Sequence, residues 1–515
     1  MLLGQNDSNQ TLHETGQNPA FELHSGTTAQ EFDALCSPDE TDRIYTTDWQ
    51  EFNLWDRIGQ QYSLDIPTNS RIESQFNWFV KHPEYLERVL KRGSPYLFHI
   101  VEQLEQRNMP IELAFLPIVE SAFDPFAYSP GRASGMWQII PGTGKMLGLK
   151  QSWWYDGRRD VVASTDAALN YLERLNKRFN GDWNLALAAY NSGAGTVNRA
   201  IRKAKKKGKP TDYWNLSLPK ETQAYVPKLL ALVRLIKNAE THGITLQPIS
   251  NTAQFVQVAL TQQIDLAQAA DLAGIDINEL YRFNPGFNRW ATDPSGPHRI
   301  VLPVSAQQAF EHNIALVPQD ELVTWRRHTI KSGETLSHIA ARYNVSIDTI
   351  TSINNIRRST IRAGDTLLVP TASKGSQFYR LSAEQRLKRK QNAAPDGKHK
   401  LRYTVQPGDS FWAIARKHKV SSSALARWNS MAPRDTLRIG QTLVVWTDQV
   451  SAPTGVNDKI IRKLSYRVRN GDSLYKIASK FRVNVDDILR WNQISKGKYL
   501  QPGQSLVLYV DVRNT

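Results

Sequence analysis

Three stretches of this 515-residue chain repeat one another at fixed spacing, and such a repeat limits the available folds more than bulk composition does. With Gly333, Gly408 and Gly471 aligned, an isoleucine follows six residues later (Ile339, Ile414, Ile477) and an alanine seven later (Ala340, Ala415, Ala478). An asparagine follows twenty-one later (Asn354, Asn429, Asn492). A further glycine (Gly364, Gly440, Gly503) leads into the apolar runs TLLVP, TLVVW and SLVLY. Each unit begins on a short alternating stretch, HTI, YTV or YRV. Alternation at both ends with helical spacing between predicts strand, helix, helix, strand. The units are expected over 327–371, 402–447 and 465–511. A worn fourth copy is expected over 253–304, with Phe255–Val258 and Arg299–Pro303 as its strands. Its Ala269, Ala270 and Asn284 keep the offsets from Gln263, but it lacks the Gly-Asp turn of the others.

Upstream the period becomes helical. Residues 1–48 hold no lysine and one arginine (Arg43) against nine Asp or Glu, a composition that cannot bury enough surface to order itself. Residues 49–248 read as one all-helical domain. Helices are expected from Pro95 to Arg107, from a cap at Ser164-Thr165-Asp166, from Trp183 to Tyr190, and from Glu221 to Lys237. The last turns Val226, Leu229, Leu230, Val233 and Ile236 inward. Segments 305–327, 371–402 and 447–465 read as linkers. The net charge of +15 favours an anionic partner, and its densest clusters, Arg202–Lys209 and Lys374–Arg402, read as solvated or loop-borne runs. The lone Cys36 excludes an internal disulfide, and no histidine spacing suits a metal, so neither metal nor cofactor is expected. No run approaches the ~20 apolar residues of a membrane span.

The chemistry centres on Glu120, at the end of an apolar run from Ile111 to Val119 that carries only one other charge, Glu112. Low-dielectric surroundings raise a carboxyl's pKa, which is what a general acid for a glycosidic oxygen requires. A solvated helix-end glutamate is the alternative, and the residues that follow weigh against it. Ser129, Gly135-Met136-Trp137-Gln138, Ala189-Tyr190-Asn191-Ser192-Gly193 and Glu221-Thr222 with Tyr225-Val226 follow in order. Together with Glu120-Ser121 they resemble the catalytic domain of soluble lytic murein transglycosylases, a lysozyme-like helical fold. Trp137 departs from the usual Met of that signature. The repeats resemble LysM modules, small βααβ domains that bind N-acetylglucosamine polymers. The whole chain looks like the membrane-bound lytic murein transglycosylase D family, a multidomain α plus α+β architecture with LysM modules on linkers.

The resemblance implies a role for each matched residue. Glu120 is the catalytic residue, and Ser121, Ser129, Met136, Gln138, Tyr190, Asn191 and Tyr225 bind or frame the substrate. Tyr190 is expected to hydrogen-bond Glu120, and Asn191 to cap its helix. The sugar-binding loops of the repeats are Gly333-Glu334-Thr335, Gly408-Asp409-Ser410 and Gly471-Asp472-Ser473, with Asn354, Asn429 and Asn492. These asparagines have an equal claim as fold-keeping residues. Trp137, Trp153 and Trp154 could stack on sugars or pack a core.

Most glycosidases use two carboxyls. Asp124 is nearest in sequence, but Asp-Pro starts a turn and reads as structural; Asp156, Asp160 and Asp166 are second-acid candidates without specific support. A lyase route needs only one: Glu120 protonates the bond between N-acetylmuramic acid and N-acetylglucosamine, then takes the proton of the sugar's own 6-hydroxyl, leaving a 1,6-anhydro end. A wall-binding protein that is inactive or hydrolytic is the rival. Gly142-Thr143-Gly144-Lys145 fails as a phosphate loop, since Met146 replaces Ser/Thr. Nucleic acid is not an expected partner; charge alone would carry it. The resemblance implies peptidoglycan as the partner, and a monomer at the periplasmic face of a Gram-negative envelope is expected. The start, MLLGQNDSNQ, has no signal features, which is expected either of a cytoplasmic protein or of one whose true N-terminus is missing here; outer-membrane attachment would then come only through a missing lipid anchor.

Overall fold

A computed structural model describes residues 53–356, 360–448 and 461–511 apart from 482, 493 and 495–499. The segment 1–48, expected to be disordered, lies outside them. The chain divides into two compact units. In the smaller, helix α1 (Leu54–Gly59) is capped by Asn53, and the Leu54 N–H donates to Ile249 O at 2.8 Å.

The larger unit opens with α2 (Ser70–Val80) and α3 (Pro83–Glu105). Pro95 was expected to start a helix but sits inside α3. A proline orphans the carbonyl four residues back; here the Ser94 hydroxyl donates to Lys91 O at 3.1 Å, and the helix runs on. The apolar run Ile111–Phe115 winds as a 3-10 turn into α4 (Leu116–Ser121). Then come α5 (Pro141–Met146), α6 (Val161–Arg178), α7 (Trp183–Ser192), α8 (Ala194–Lys206) and α9 (Lys220–Lys237). Helix α6 opens one turn before the expected Ser164–Asp166 cap, because Asp160 accepts from Ala163 N at 2.7 Å. The basic run Arg202–Lys206 is helical and not a loop: Val197, Ala200 and Ala204 are buried at helical spacing, leaving the cations on the other face.

Helix α9 is the spine of this domain. Val226, Leu229, Leu230, Ala231, Leu232, Val233 and Leu235 are all buried, and it packs against α2, α4 and α7. Each buried leucine contributes about 1.5–3 kcal/mol. Its internal Pro227 is tolerated for the same reason as Pro95. The carbonyl it orphans, Gln223 O, accepts from the Tyr213 hydroxyl at 2.9 Å.

Four βααβ modules follow. The worn copy is β1 (Phe255–Ala259), α10 (Leu266–Ala273), α11 (Ile277–Phe283) and β2 (Arg299–Pro303). After α12 (Gln307–Ala315) come β3 (Thr324–Thr329), α13 (Leu336–Tyr343), α14 (Ile347–Ile353) and β4 (Thr366–Thr371). After α15 (Ala383–Asn392) come β5 (His399–Thr404), α16 (Phe411–Lys417), α17 (Ser422–Trp428) and β6 (Thr442–Thr447). Last are β7 (Ile461–Arg467), α18 (Leu474–Phe481), α19 (Val485–Trp491) and β8 (Ser505–Asp511). Each module pairs its two strands antiparallel, with Tyr403 opposite Leu443 and Tyr466 opposite Leu506.

Two of the three segments read as linkers carry helices, α12 and α15, and most of the third, 449–460, lies outside the described residues. The second is tethered: Tyr379 donates to the Asp265 carboxylate at 2.9 Å, and Ala383 N–H to Asn288 O at 2.8 Å. The worn module and the first full repeat share one apolar core with Trp154 and Tyr155, whereas the second and third repeats each have their own. Among the described residues no helix is long and apolar enough to cross a membrane.

One asparagine latches every module. Asn429 Nδ2 donates to Leu425 O and Val444 O, and Oδ1 accepts from Val444 N, each at 2.8 Å. The side-chain amide thus acts as an extra peptide group between the second helix and the closing strand. Asn284, Asn354 and Asn492 make the same bonds to Val301, Leu368 and Val507. Losing several such bonds in a buried site costs on the order of 2 kcal/mol. Asn429→Ala should therefore speed hydrogen exchange of the Val444 amide in the full chain by about thirtyfold; unchanged exchange would contradict the latch.

Candidate active site

Glu120 lies in the last turn of α4 and opens into a cleft of about 850 Å³. The helix stops there because Ala122 and Phe123 both adopt left-handed backbone, at φ 55° and 56°. For non-glycine residues that costs about 1–3 kcal/mol each and persists only when packing enforces it. The buried Phe123 ring supplies the packing. It lies against Gly93 of α3, where an added Cβ would sit 2.5 Å from the ring.

Four hydrogen bonds join the four motifs into a closed ring. The Tyr225 hydroxyl donates to Glu120 Oε1 in a short bond. Ser121 Oγ donates to Met136 O at 2.9 Å, tying the glutamate's neighbour to the Gly135–Gln138 loop. The Tyr190 hydroxyl donates to Trp137 O at 2.8 Å, tying that loop to α7. Thr222 Oγ1 donates to Asn191 Oδ1 at 2.7 Å, tying α7 back to α9, which carries Tyr225. The tyrosine that bonds Glu120 is thus Tyr225; the expectation that Tyr190 does so is corrected. Asn191 is also not a cap, since α7 continues through Ser192 and ends at Gly193.

Burial pushes the Glu120 carboxyl up to about 7. The Tyr225 bond opposes this by stabilising the carboxylate, Glu221 reinforces it, and Lys228 opposes it. A carboxyl poised near neutrality can give up a proton and later take one back.

The other residues separate into cleft and support. Glu120, Ser129, Gln138, Tyr190, Asn191 and Tyr225 line the cleft. Ser129 Oγ accepts from Gly131 N and Ala133 N at 3.2 and 3.0 Å, which leaves its O–H to donate. Gln138, at φ 48°, folds its amide back onto Gly135 O at 2.9 Å. Met136 is buried, and it and Ser121 act through the bond between them. Trp137 is wholly buried and donates to Thr165 Oγ1, and Trp154 is buried and donates to Thr349 Oγ1. Trp153 packs edge-on against Trp154 beneath Arg289, so these three indoles are packing, not sugar platforms in this cleft.

None of the candidate second acids lines the cleft. Asp124 accepts from Phe126 N; Asp156 is held by Arg158 and Arg159; Asp160 caps α6 and pairs with Arg299; Asp166 pairs with Arg107. The second carboxylate in the lining is Glu221, exposed in the first turn of α9. Glu221 and Lys228 were missed as cleft charges. The spacing 221, 225, 228 puts them on the Tyr225 side of one helix, a signal legible once Tyr225 is placed. Among the described residues no cluster of three His, Cys, Asp or Glu side chains could hold a metal.

In the repeats, Gly333, Gly408 and Gly471 adopt φ of 79°, 87° and 82°, which the loop's turn requires. The acidic side chains that follow close the loop on itself. Glu334 accepts from Lys331 N at 2.9 Å, Asp409 from Gln406 N at 2.7 Å and Asp472 from Arg469 N at 2.8 Å. Thr335, Ser410 and Ser473 accept from backbone N–H groups in the first turn of the next helix. With Asn354, Asn429 and Asn492 acting as latches, the polar side chains of these loops are engaged in holding the fold. Beside the loops stand two exposed aromatics unrecognised in the sequence, Trp412 and Tyr475, 63% and 78% exposed at the same repeat position. Both lie four residues after the aligned glycine, where the first repeat has Ser337.

Comparison with known proteins matches three families. The Transglycosylase SLT domain covers residues 99–212, and the LysM-like domain of lytic transglycosylase MltD covers 254–319. The LysM domain covers 328–370, 403–446 and 466–508. The chain is 40% identical over 401 residues to membrane-bound lytic murein transglycosylase D of Escherichia coli K12, spanning 75% of this chain and 85% of that protein. It is 53% identical over 119 residues to a putative tributyltin chloride resistance protein of an Alteromonas species, spanning 23% of this chain and 58% of that one. The crystal structure of the 70 kDa soluble lytic transglycosylase Slt70 of Escherichia coli is 24% identical, with a TM-score of 0.24 and coverage of 28% of this chain and 24% of that one, too low to carry any argument.

Two outcomes test the electrostatics. Turnover should fall as pH rises through about 7, as Glu120 loses its proton. Tyr225→Phe removes a carboxylate stabiliser, so the alkaline limb should move to higher pH while the rate drops about tenfold or more; an unmoved limb would contradict the bond's role. Because the folded pKa is raised, ionising Glu120 costs the folded state nothing below pH 4.5 and the full amount only above pH 7. Glu120→Gln should therefore leave Tm unchanged at pH 4 and raise it by a few degrees at pH 8.

Proposed function

The chain belongs to the membrane-bound lytic murein transglycosylase D family, and on that premise we propose that Glu120 alone serves as the acid and then the base of its reaction. The protein is a lytic murein transglycosylase, a lyase acting on peptidoglycan, with LysM modules that bind the wall. One observation carries the assignment: a single inward carboxyl, held protonated near neutrality, faces a cleft whose other carboxylate is exposed at the rim.

Protonated Glu120 gives its proton to the oxygen between N-acetylmuramic acid and N-acetylglucosamine. That bond breaks, and positive charge gathers at the anomeric carbon. The sugar's own acetamido oxygen stabilises it from within the substrate. Glu120, now a carboxylate steadied by Tyr225 and Lys228, takes the proton of the 6-hydroxyl. The hydroxyl oxygen closes on the anomeric carbon to give the 1,6-anhydro ring. No water is consumed, and Glu120 ends protonated, as it began. Ser129, whose Oγ accepts from Gly131 N and Ala133 N, gives its O–H to the substrate amide in this reading.

The wall-binding modules hold the enzyme near its substrate. Trp412 and Tyr475 offer flat apolar faces beside the loops. The enzyme works in the periplasmic envelope, in keeping with its membrane-bound relative; attachment to the outer membrane through a lipid, and action as a monomer, are parts of the same proposal.

Digestion of purified sacculi should release muropeptides at the anhydro mass. Products one water heavier would replace the lyase with a hydrolase, and Glu221 would then be the second carboxylate to test. Glu120→Gln should lower release by at least a thousandfold while sacculus binding persists. The double variant Trp412→Ala/Tyr475→Ala should weaken co-sedimentation with sacculi several-fold and leave cleavage of short soluble glycans unchanged; undiminished sedimentation would remove these aromatics from the binding surface.

A further inference from the structure

A second, larger hollow shares a wall with the catalytic cleft. Along one loop, Ser129, Pro130 and Gly131 line the cleft, while Tyr128 and Arg132 line the hollow. Ile140 and Pro141 divide in the same way. The hollow encloses about 1520 Å³ between the Asp124–Arg132 loop, helix α15 and residues 429–441 of the second full repeat. Among the described residues its walls carry six arginines and one lysine, but only two carboxylates, Asp124 and Asp435.

Much of that charge is unanswered. Arg132 pairs with Asp435, and Arg159 spends its N–H groups on Ser134, Asn288 and Asp156. Arg289 is occupied by the carbonyl and ring of Trp153. The cations of α15 are different. Arg386, Arg389 and Lys390 stand at three- and four-residue spacing, on one face of the helix. Arg386 donates to Leu381 O and lies over the Phe126 ring, and Arg389 donates to Arg380 O; both partners are neutral. Lys390, and Arg438 across the hollow, have no hydrogen bond or ion pair from their side chains among the described residues. Burial and the neighbouring Arg159 hold Arg386 well below the usual guanidinium range, and burial and Arg386 lower Lys390; the one nearby carboxylate, Asp124, opposes both shifts without cancelling them. Such crowding of like charge is relieved by an anion.

We propose that this hollow binds the carboxylates of a peptide stem carried by the glycan in the catalytic cleft, an inference that rests on the transglycosylase reading above. The ligand must be anionic, because the unanswered charge is positive. It must be attached to the glycan, or lie beside it, because a single loop separates the two cavities. It must be longer than a simple ion, because the cations come from separate elements, α15 and the second full repeat, around a hollow this large. A peptide branching from the sugar ring and ending in free carboxylates meets all three conditions, and guanidinium groups match carboxylates in fork geometry. The second repeat then completes the substrate site as well as tethering the enzyme.

The double variant Lys390→Glu/Arg438→Glu reverses two unpaired surface charges and leaves the Glu120 cleft untouched. Its kcat/KM should fall about tenfold on sacculi with intact stems and stay unchanged on glycan stripped of peptide by an amidase. Equal loss on both materials, or loss on neither, would overturn the proposal. Stripped glycan still carries the lactyl carboxylates of its muramic acid, so a greater loss there would assign the site to those groups and overturn the stem assignment. Anhydro products from stripped glycan with the wild-type chain show the transglycosylase reading to stand whichever way the stem comparison falls. If no anhydro product forms from either material, that reading fails on its own, and the stem site is decided by co-sedimentation of the Glu120→Gln chain with both materials. Stem-dependent binding lost in the charge-reversed variant supports the site, and stem-independent binding overturns it.

Discussion

Everything the cleft can do depends on a closed circuit of four hydrogen bonds around Glu120. Tyr225 to Glu120, Ser121 to Met136 O, Tyr190 to Trp137 O and Thr222 to Asn191 connect four segments scattered over about a hundred residues. Each such bond contributes only about 0.5–1.5 kcal/mol on its own. Their arrangement as a ring means that loosening one changes the position of two motifs. The ring is seated on α9, whose buried leucines and valines make Tyr225 and Thr222 fixed points rather than mobile side chains. Burial by the same packing keeps Glu120 protonated, so stability and acidity have one origin. The left-handed turn at Ala122 and Phe123 is the local strain that this packing enforces.

The repeats solve a different problem. A two-stranded sheet and two short helices have little core, and a 45-residue module of this kind is marginal by area alone. The latch asparagine adds backbone-like bonds from a side chain, joining the second helix to the closing strand in each of the four modules. The worn copy keeps its latch at Asn284 although it has lost the Gly-Asp turn, which separates the residue that holds the fold from the loop that would meet a ligand. The worn copy and first repeat go further and share an apolar core with Trp154, which explains why an indole next to the catalytic region is buried.

How much of this was legible in the sequence follows from how local each signal is. The repeat fixes its own strand–helix–helix–strand order, because alternation and glycine turns act within a few residues. The apolar run before Glu120 reports burial, and burial dominates its acidity. Which hydroxyl reaches Glu120 was not legible: Tyr190 and Tyr225 stand on different helices, and only the angle between those helices decides. Pro95 reads as a helix start and instead lies mid-helix, because the Ser94 hydroxyl that takes up the orphaned Lys91 carbonyl acts through geometry that periodicity does not report. The basic run of α8 hid three small buried residues behind its charge, and the linker before the second full repeat hid Tyr379, whose partner Asp265 is 114 residues away. The carboxylates weighed as second acids were near Glu120 in sequence, whereas the one in the cleft lining, Glu221, arrives from α9.

The central claim is that packing around one carboxyl sets its proton affinity, and the side-chain carboxyl shift of Glu120 reports that directly. A carbon-13 NMR titration of the full chain, with the Glu120 resonance assigned by its loss in Glu120→Gln, should give a midpoint near 7. The midpoint should move higher in Tyr225→Phe, because the bond that stabilises the carboxylate is gone. A midpoint near 4.5, the value of an ordinary glutamate, would contradict the account, since a carboxyl ionised at neutral pH has no proton to give the glycosidic oxygen.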